Sequence, residues 1–257
     1  MNKILISLLM IFMASASLFA QDTITVYYNK NWLEIPDKNE AVFYRKAFMD
    51  SNHVWTAHDY YISNKIQMTG TYKSRKLDVK QGHFIYYFEN GNKSSEGNYM
   101  DDKAEGIWTT WFENGQKKSE GPYNDDLADG IWQYWYETGE RKSEGTCMND
   151  KKVGVWNYWY ESGELESTET YSKAGNCTYE EYHENGVMRC KGTIVNNQVD
   201  GLWTYWNSDG RIFLKGNFDR GLRNGEWVRP FREGEMKLIF KDGVLQGKQL
   251  GGIDRSQ

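Results

Sequence analysis

The sequence is dominated by an internal repeat of about 24 residues, which fills most of the chain after residue 81. Residues 82–91 recur at 106–115, 130–139 and 154–163, and after a one-residue deletion the pattern resumes at Cys177, Gly201 and Gly225. Self-similarity of this kind is typical of repeat architectures, in which each unit packs mainly against its neighbours. The chain is therefore expected to fold into an elongated array.

We number the first residue of each copy as position 0. Position 2 is aromatic in every copy: Phe84, Trp108, Trp132, Trp156, Tyr179, Trp203 and Trp227. Position 5 is aromatic in all copies but the last: Tyr87, Trp111, Trp135, Trp159, Tyr182 and Trp206, with Pro230 at the end. Position 9 is always glycine: Gly91, Gly115, Gly139, Gly163, Gly186, Gly210 and Gly234.

Each copy predicts a β-hairpin, because two runs rich in aromatic and β-branched residues flank pairs such as Asn90-Gly91 and Asp209-Gly210. Such pairs favour a two-residue type I′ turn. Position 5 would then face position 12, and position 2 would face position 15. Position 15 is glycine in five of the seven copies (Gly97, Gly121, Gly145, Gly192 and Gly216). We therefore expect the position 2 ring to cover bare glycine backbone on the partner strand.

On the opposite face, the same register places basic residues across from the position 5 rings, namely Lys118, Lys142 and Arg189. Their aliphatic stems would lie on those rings. Acidic residues at position 14, which are Glu96, Glu120 and Glu144, would project to solvent on this face. Polar loops such as residues 124–129 would link one hairpin to the next.

These patterns predict an all-β fold, an elongated single-layer array of antiparallel β-hairpins with a mixed N-terminal segment. The array spans residues 55–247, with a degenerate first copy at 55–81 and seven copies from 82. In the degenerate copy Asn64 stands in the glycine column, followed by Gly70 and Tyr72. The fold of residues 21–54 is left open. Residues 23–28 show the alternation of a strand, and residues 41–49 fit a helix or a strand. Residues 248–257 are expected to form a C-terminal tail.

Residues 1–20 predict a cleaved signal peptide, with Lys3 before an apolar run at 4–13 and small residues leading to Ala20. The alternative is an uncleaved anchor, since residues 4–20 are uncharged and marginally long enough to span a bilayer. The favoured interpretation gives an exported protein, periplasmic or extracellular, with no stable membrane anchor after cleavage.

The amino-acid composition argues against two classes of protein, nucleic-acid binders and disordered chains. The 31 basic against 36 acidic residues give a formal charge of −5, which argues against nucleic acid as a partner. The 16% aromatic content argues against a disordered chain.

No pattern in the sequence indicates catalysis, a cofactor or a metal site. The four histidines (His53, His58, His83 and His183) show no metal-ligand spacing, and a His58–Asp59 pair has no nucleophile motif beside it. The recurring acidic loops (Asp101-Asp102, Asp125-Asp126, Asp150 and Asp200) could line up as calcium ligands, but none matches the spacing of a calcium loop. The cysteines are Cys147, Cys177 and Cys190, and the predicted register holds the last two too far apart to bond, so three free thiols are expected.

The pattern Gly-x-Trp-x-x-Trp-[Phe/Tyr]-Glu-x-Gly, followed by Lys-Ser-Glu-Gly-x-Tyr, resembles the MORN-repeat variant of many bacterial proteins. The resemblance covers about residues 55–247, and the exported form is similar to proteins of the Bacteroidetes group. It implies a β-hairpin array that serves protein or membrane contact, and it implies no reaction.

The predicted function is that of a non-catalytic protein–protein interaction scaffold in the cell envelope, binding a protein partner or a second copy of itself. The candidate partner surface is the position 5 column, since rows of Trp and Tyr are typical binding anchors. Its residues are Tyr87, Trp111, Trp135, Trp159, Tyr182 and Trp206. The alternative is a carbohydrate- or cell-wall-binding module that uses the same aromatic columns.

Overall fold

The computed structural model describes residues 23–232 and 234–252 of the chain, so the predicted signal peptide at residues 1–20 lies outside the described residues. The N-terminal strands are β1 (Ile24–Tyr28), β2 (Glu34–Ile35), β3 (Phe43–Met49), β4 (Trp55–Tyr61) and β5 (Ile66–Tyr72), with a 3-10 helix at Lys38–Glu40. The strands of the repeat copies are β6 (Gly82–Tyr87), β7 (Lys93–Met100), β8 (Lys103–Trp111), β9 (Lys117–Asn124), β10 (Leu127–Ala128), β11 (Gly130–Trp135), β12 (Arg141–Met148), β13 (Lys151–Trp159), β14 (Leu165–Tyr171), β15 (Cys177–Tyr182), β16 (Met188–Val195), β17 (Gln198–Trp206), β18 (Ile212–Asp219), β19 (Leu222–Phe231), β20 (Gly234–Lys241) and β21 (Val244–Gly252).

The strands form one open antiparallel sheet of 21 strands, which confirms the predicted all-β hairpin array. From β3 onward each strand pairs with the next in sequence, except at β9, which pairs with both the short β10 and β11. β1 lies outside β3, and β2 adds two residue pairs at that edge. No helix within the described residues is long and apolar enough to cross a membrane.

The N-terminal segment continues the sheet. Residues 43–49 form a strand, so the helical alternative for residues 41–49 is wrong. In the degenerate copy Ala57 pairs with Gly70, the same pairing of positions 2 and 15 that the later copies show. Asn64 adopts φ +66° in the glycine column, a conformation that asparagine tolerates better than most residues.

The hairpin tips differ from the prediction. The Gly91 N–H donates to the Phe88 carbonyl at 2.9 Å, and the Phe88 N–H donates to the Asn92 carbonyl at 2.8 Å. Gly91 has φ +97°, whereas Asn90 is not among the described residues with positive φ. The tip is therefore a type I turn followed by a left-handed glycine, and the predicted type I′ turn at these pairs is wrong.

The tip geometry shifts the register by one residue. Position 5 pairs with position 11, as in Trp111 with Lys117 and Trp135 with Arg141, so the predicted pairing with position 12 is wrong. The extra residue forms a β-bulge beside the turn. The bulge places position 11 on the same face of the sheet as position 5. Beyond the bulge the prediction is confirmed, because Trp108 pairs with Gly121 at positions 2 and 15.

Type I′ turns occur instead between hairpins, where polar loops had been expected. Asp101 and Asp102 have φ +54° and +67°, and Asp125 and Asp126 have φ +52° and +69°. The Asp126 carboxylate accepts the Ala104 N–H at 2.6 Å, one repeat earlier. Equivalent bonds from Lys80 to Asp102 and from Ala128 to Asp150 are 2.7 Å long. The acidic turns therefore tie neighbouring repeats together.

A second bulge explains the glycine at position 0. Gly106 has φ +69° and Gly154 has φ +63°, and at each the register between successive hairpins shifts. Cys177 replaces this glycine where the repeat is one residue short, and β14 and β15 pair without a shift. The preceding turn is correspondingly longer, with Ser172 N–H bonded to the Asn176 carbonyl at 2.8 Å. One irregular junction thus lies between β14 and β15.

At the C-terminal end the sheet extends beyond the predicted array. β21 runs through residue 252 and pairs with β20, so residues 248–252 are strand and not tail.

Candidate functional site

The two faces of the repeat sheet have different character. Alternation along each strand places positions 2, 4, 13, 15 and 17 on one side, which we call the indole face. Positions 1, 3, 5, 11 and 14 lie on the other side, which we call the open face. The position 2 rings are buried on the indole face, with Trp156 3% exposed and Trp227 0% exposed.

Each position 2 indole covers the glycine of the preceding hairpin. Trp108, Trp132 and Trp203 also pair with the glycine of their own hairpin. A Cβ atom added at Gly97 would lie 2.2 Å from the Trp108 ring, and one at Gly145 would lie 2.1 Å from the Trp156 ring. The same close approach recurs at Gly121, Gly192 and Gly216. Only glycine allows this contact, so the glycine column and the indole column depend on each other.

The indole N–H groups form a ladder between repeats. Trp156 Nε1 donates to the Thr146 carbonyl at 2.9 Å, and Trp227 Nε1 donates to the Asn217 carbonyl at 3.0 Å. The equivalent bonds of Trp108, Trp132 and Trp203 are 3.1–3.2 Å long. These carbonyls lie beside the position 0 bulge, where the strand pairing is interrupted, and the indole satisfies them. The position 2 column is therefore structural.

The position 5 rings lie half-buried on the open face, and three of them lie under cations from the preceding repeat. Lys93 Nζ lies 5.5 Å from the Trp111 ring, Lys117 Nζ lies 5.1 Å from Trp135, and the Arg141 guanidinium carbon lies 5.4 Å from Trp159. The cations thus come from position 11.

The predicted contact with position 12 is wrong, because the tip bulge sends those residues to the indole face. Lys118 lies over Phe112 at 5.6 Å, and Lys142 lies over Tyr136 at 5.3 Å. Arg189 pairs with Glu181 at 2.8 Å.

The position 14 carboxylates are ion-paired and do not simply project to solvent. Glu120 accepts from Lys117 at 2.8 Å and Glu144 from Arg141 at 3.3 Å, and Glu96 pairs with Lys93. The Lys117 hydrogen bond is the main reason that the pKa of Glu120 lies below its usual value. A ladder of indole, cation and carboxylate therefore runs along the open face.

A second row on the open face escaped the sequence analysis. Aliphatic side chains at position 1 are more than half exposed in Ile107 (57%), Ile131 (62%) and Leu202 (59%), and Val155 is 50% exposed. The signal was present, because an apolar residue preceding the buried position 2 must point to the other face. The open face thus carries an aliphatic row and an aromatic row with polar residues at position 3 between them.

Loop carboxylates do not form an ion site. The Asp102, Asp126 and Asp150 carboxylates accept backbone N–H groups, as described above. Within the described part of the chain, no group of three or more His, Cys, Asp or Glu residues could hold a metal ion.

The His58 and Asp59 side chains lie on opposite faces of β4. Asp59 is 2% exposed and binds Arg45 through both oxygens, at 2.7 and 2.8 Å. His58 points to the opposite face of β4, and burial lowers its pKa. This buried Arg45–Asp59 pair, between two strands outside the well-formed repeats, was missed by the sequence analysis.

The three cysteines are free, buried thiols. Cys177 pairs with Ile194 and Cys190 pairs with Glu181, several residues apart along the strands. Burial, together with a hydrogen bond to Glu181, raises the pKa of Cys190 to about 12. The number of titratable thiols in solution stays a prediction.

Comparison with known families identifies the repeat. The model of the family described as the MORN repeat variant matches four consecutive segments, residues 80–101, 104–125, 128–147 and 152–173. Each matched segment contains all or most of one hairpin, with both of its strands and the tip between them. None of the curated proteins compared with the chain matches it.

Proposed function

We propose, because residues 80–173 are built from MORN-variant repeats, that this protein is a non-catalytic scaffold that binds a protein partner through its open face. Residues that carry chemistry elsewhere are used here for structure: the acidic turns bind backbone, and the buried Asp59 binds Arg45. The N-terminal pattern around Lys3 supports the further proposal that the scaffold is exported to the periplasm or the cell exterior.

The observation that carries the proposal is the periodic exposure of apolar groups on one face. Ile107, Ile131 and Val155 stand 24 residues apart in successive hairpins. Neighbouring members of this row therefore lie about 10 Å apart, the width of two strands. A contiguous exposed apolar surface with polar surroundings is typical of protein interaction sites. The open face therefore provides a long, regular docking surface.

The geometry favours a protein partner over a polysaccharide. Sugar rings stack on open aromatic faces, but Lys117 and Arg141 lie over Trp135 and Trp159. The exposed apolar surface consists mainly of aliphatic side chains at position 1, which suit protein contacts.

The test compares charged substitutions of equally exposed residues. The double variant Ile107→Lys with Ile131→Lys places two charges in the aliphatic row and should abolish a specific cross-linked complex formed in the native envelope. Val244→Lys is the matched control, because Val244 and Ile131 are both 62% exposed and Val244 lies outside the row. Mass identification of the cross-linked species names the partner or shows a second copy of the chain.

A complex that survives the double variant would contradict the proposal. Retention on polysaccharide that is lost with Trp111→Ala plus Trp135→Ala would favour the carbohydrate alternative instead.

A further inference from the structure

On the indole face, three repeats place a cation over their aromatic rings from the residue two places before position 0. Lys80 Nζ lies 4.4 Å from the Tyr99 ring, Lys152 Nζ lies 5.0 Å from Trp156, and the Arg223 guanidinium carbon lies 4.7 Å from Trp227. A long side chain at this position therefore lies over the rings of its own repeat.

Ala128 occupies the same position in the copy that begins at Gly130, and its methyl group is too short to cover the rings. A groove of about 590 Å³ lies there, with Trp132, Tyr134, Trp156 and Tyr158 among its lining residues. This volume is within the range of small-molecule sites, and an aromatic lining is typical of them. The groove thus lies at a repeat whose covering side chain is missing.

The charged groups that line the groove are Lys118, Lys142, Lys152 and Asp150. Lys152 pairs with Glu169 at 3.0 Å, and the Asp150 carboxylate accepts the Ala128 N–H at 2.7 Å. Lys118 and Lys142 contact aromatic rings and have no ion-pair partner within the described residues. The groove therefore has a net positive rim with two cations free to bind an anion.

Ser143 adds a polar group to the groove lining. It is 7% exposed, and its hydroxyl has no hydrogen-bond partner within residues 23–232 and 234–252. At the equivalent position one repeat earlier, Ser119 shares a 2.6 Å hydrogen bond with Thr110, a residue that Tyr134 replaces in this copy. The hydroxyl of Ser143 is thus available to a ligand.

We propose that this groove binds a flat or elongated apolar molecule that carries one anionic group. Its apolar part would lie on the rings of Trp132 and Trp156, with its anion held by Lys118 and Lys142. The site is distinct from the aliphatic row of the proposed scaffold surface, because the groove lies on the indole face, with Trp135 as the lining residue that also belongs to the position 5 column.

Binding is tested with 8-anilinonaphthalene-1-sulfonate, a fluorescent aromatic anion, titrated into the full chain. One saturable site per chain is expected. Ala128→Met fills the groove with an uncharged side chain about as long as the lysine found at 80 and 152, and should weaken binding about tenfold or more. Ala104→Met is the matched control, since Ala104 holds the same position one repeat earlier and does not line the groove.

The role of the rim is tested separately by Lys118→Gln with Lys142→Gln, two exposed positions where substitution leaves the core intact. This variant should weaken sulfonate binding about tenfold and remove most of its dependence on salt. Unchanged affinity in this variant, or equal affinity for the uncharged N-phenyl-1-naphthylamine, would overturn the anionic part of the proposal. Several weak sites that ignore both substitutions would overturn the site itself.

Discussion

The contact between an indole and a glycine is the residue-scale unit of this fold. Trp156 does three things at once: it covers Gly145, donates to the Thr146 carbonyl and packs beside Tyr158. A phenylalanine at the same position, as at Phe84, keeps the coverage of Gly70 but has no N–H to donate. Tryptophan recurs at position 2 because only its ring meets all three requirements.

Gly145→Ala should destabilise the protein by about 1–3 kcal/mol, because the new methyl group would lie 2.1 Å from the Trp156 ring and force it away. Gly247→Ala is the matched control. Gly247 has no atom within 4 Å of the added carbon, so the substitution should be neutral or stabilising by roughly 0.5 kcal/mol. Chemical denaturation of both variants measures the difference, and equal stabilities would show that the ring moves aside at no cost.

The element scale shows how turns and bulges set the two faces. In the six copies that begin at residues 82 to 201, the type I turn at the tip adds a bulge, so position 11 points to the open face and position 12 to the indole face. The last hairpin pairs without this shift. Lys117 therefore meets Trp135, whereas its neighbour Lys118 meets Phe112. One extra residue at the tip decides which cations lie on which aromatic row.

Much of the hairpin architecture was predictable from the sequence. The predictions of the turn type and of the register near the tip were wrong for a physical reason. The period and the Trp–Gly pairing followed from the sequence, because side chains must alternate along strands. The tip was not determined by Asn-Gly, since a type I turn with a left-handed glycine uses the same residues. Asn114 was expected to supply a positive φ angle, but its side chain instead forms hydrogen bonds. It accepts the Gln116 N–H and donates to the Glu137 carbonyl, both at 2.9 Å. The apolar residues at position 1 were visible in the sequence, but the partner surface was assigned to the aromatic column alone.

Gly154→Ala should cost roughly 1–2 kcal/mol, because φ +63° is unfavourable for a side chain even where space is free. Gly154→Asn should lose less, since asparagine tolerates the left-handed region. Thermal unfolding of the two variants tests this order. A larger loss for asparagine would mean that crowding and not backbone strain makes glycine necessary at the bulge.

At the scale of the whole molecule, the junction between β14 and β15 departs from the regular repeat. Between β14 and β15 there is no bulge, Glu169 takes the place of the covered glycine, and Tyr179 takes the place of the indole. A polar cluster substitutes for the missing contacts: Tyr158 and Tyr171 donate to Glu169 at 2.7 and 2.9 Å, and Lys152 pairs with it at 3.0 Å. The side-chain packing at this junction therefore centres on a carboxylate.

The stability of the junction should therefore depend on pH. Burial alone would raise the pKa of Glu169, but hydrogen bonds from Tyr158 and Lys152 outweigh it and hold the pKa below its usual value of 4.5. A lowered folded-state pKa contributes stability that is fully present above the unfolded-state pKa and is lost as pH falls through the folded-state pKa. Wild type should exceed Glu169→Gln in unfolding free energy above about pH 5, and the difference should shrink on acidification. A difference that is constant down to pH 3 would assign the effect to packing and not to charge.

The junction before Cys177 also shows what kinds of change this architecture accepts during evolution. A single lost residue was absorbed only because the turn at 172–176 lengthened while the neighbouring bulge vanished. Many of the bonds between repeats join residues 20 to 24 apart, as from Ala104 to Asp126 and from Asn114 to Glu137. Duplicating or deleting a complete repeat leaves every such hydrogen bond with a partner. An insertion of one or a few residues shifts the donors and acceptors that follow it, so the bonds that span the insertion no longer match. Descendants of this gene should therefore differ in length by multiples of one hairpin.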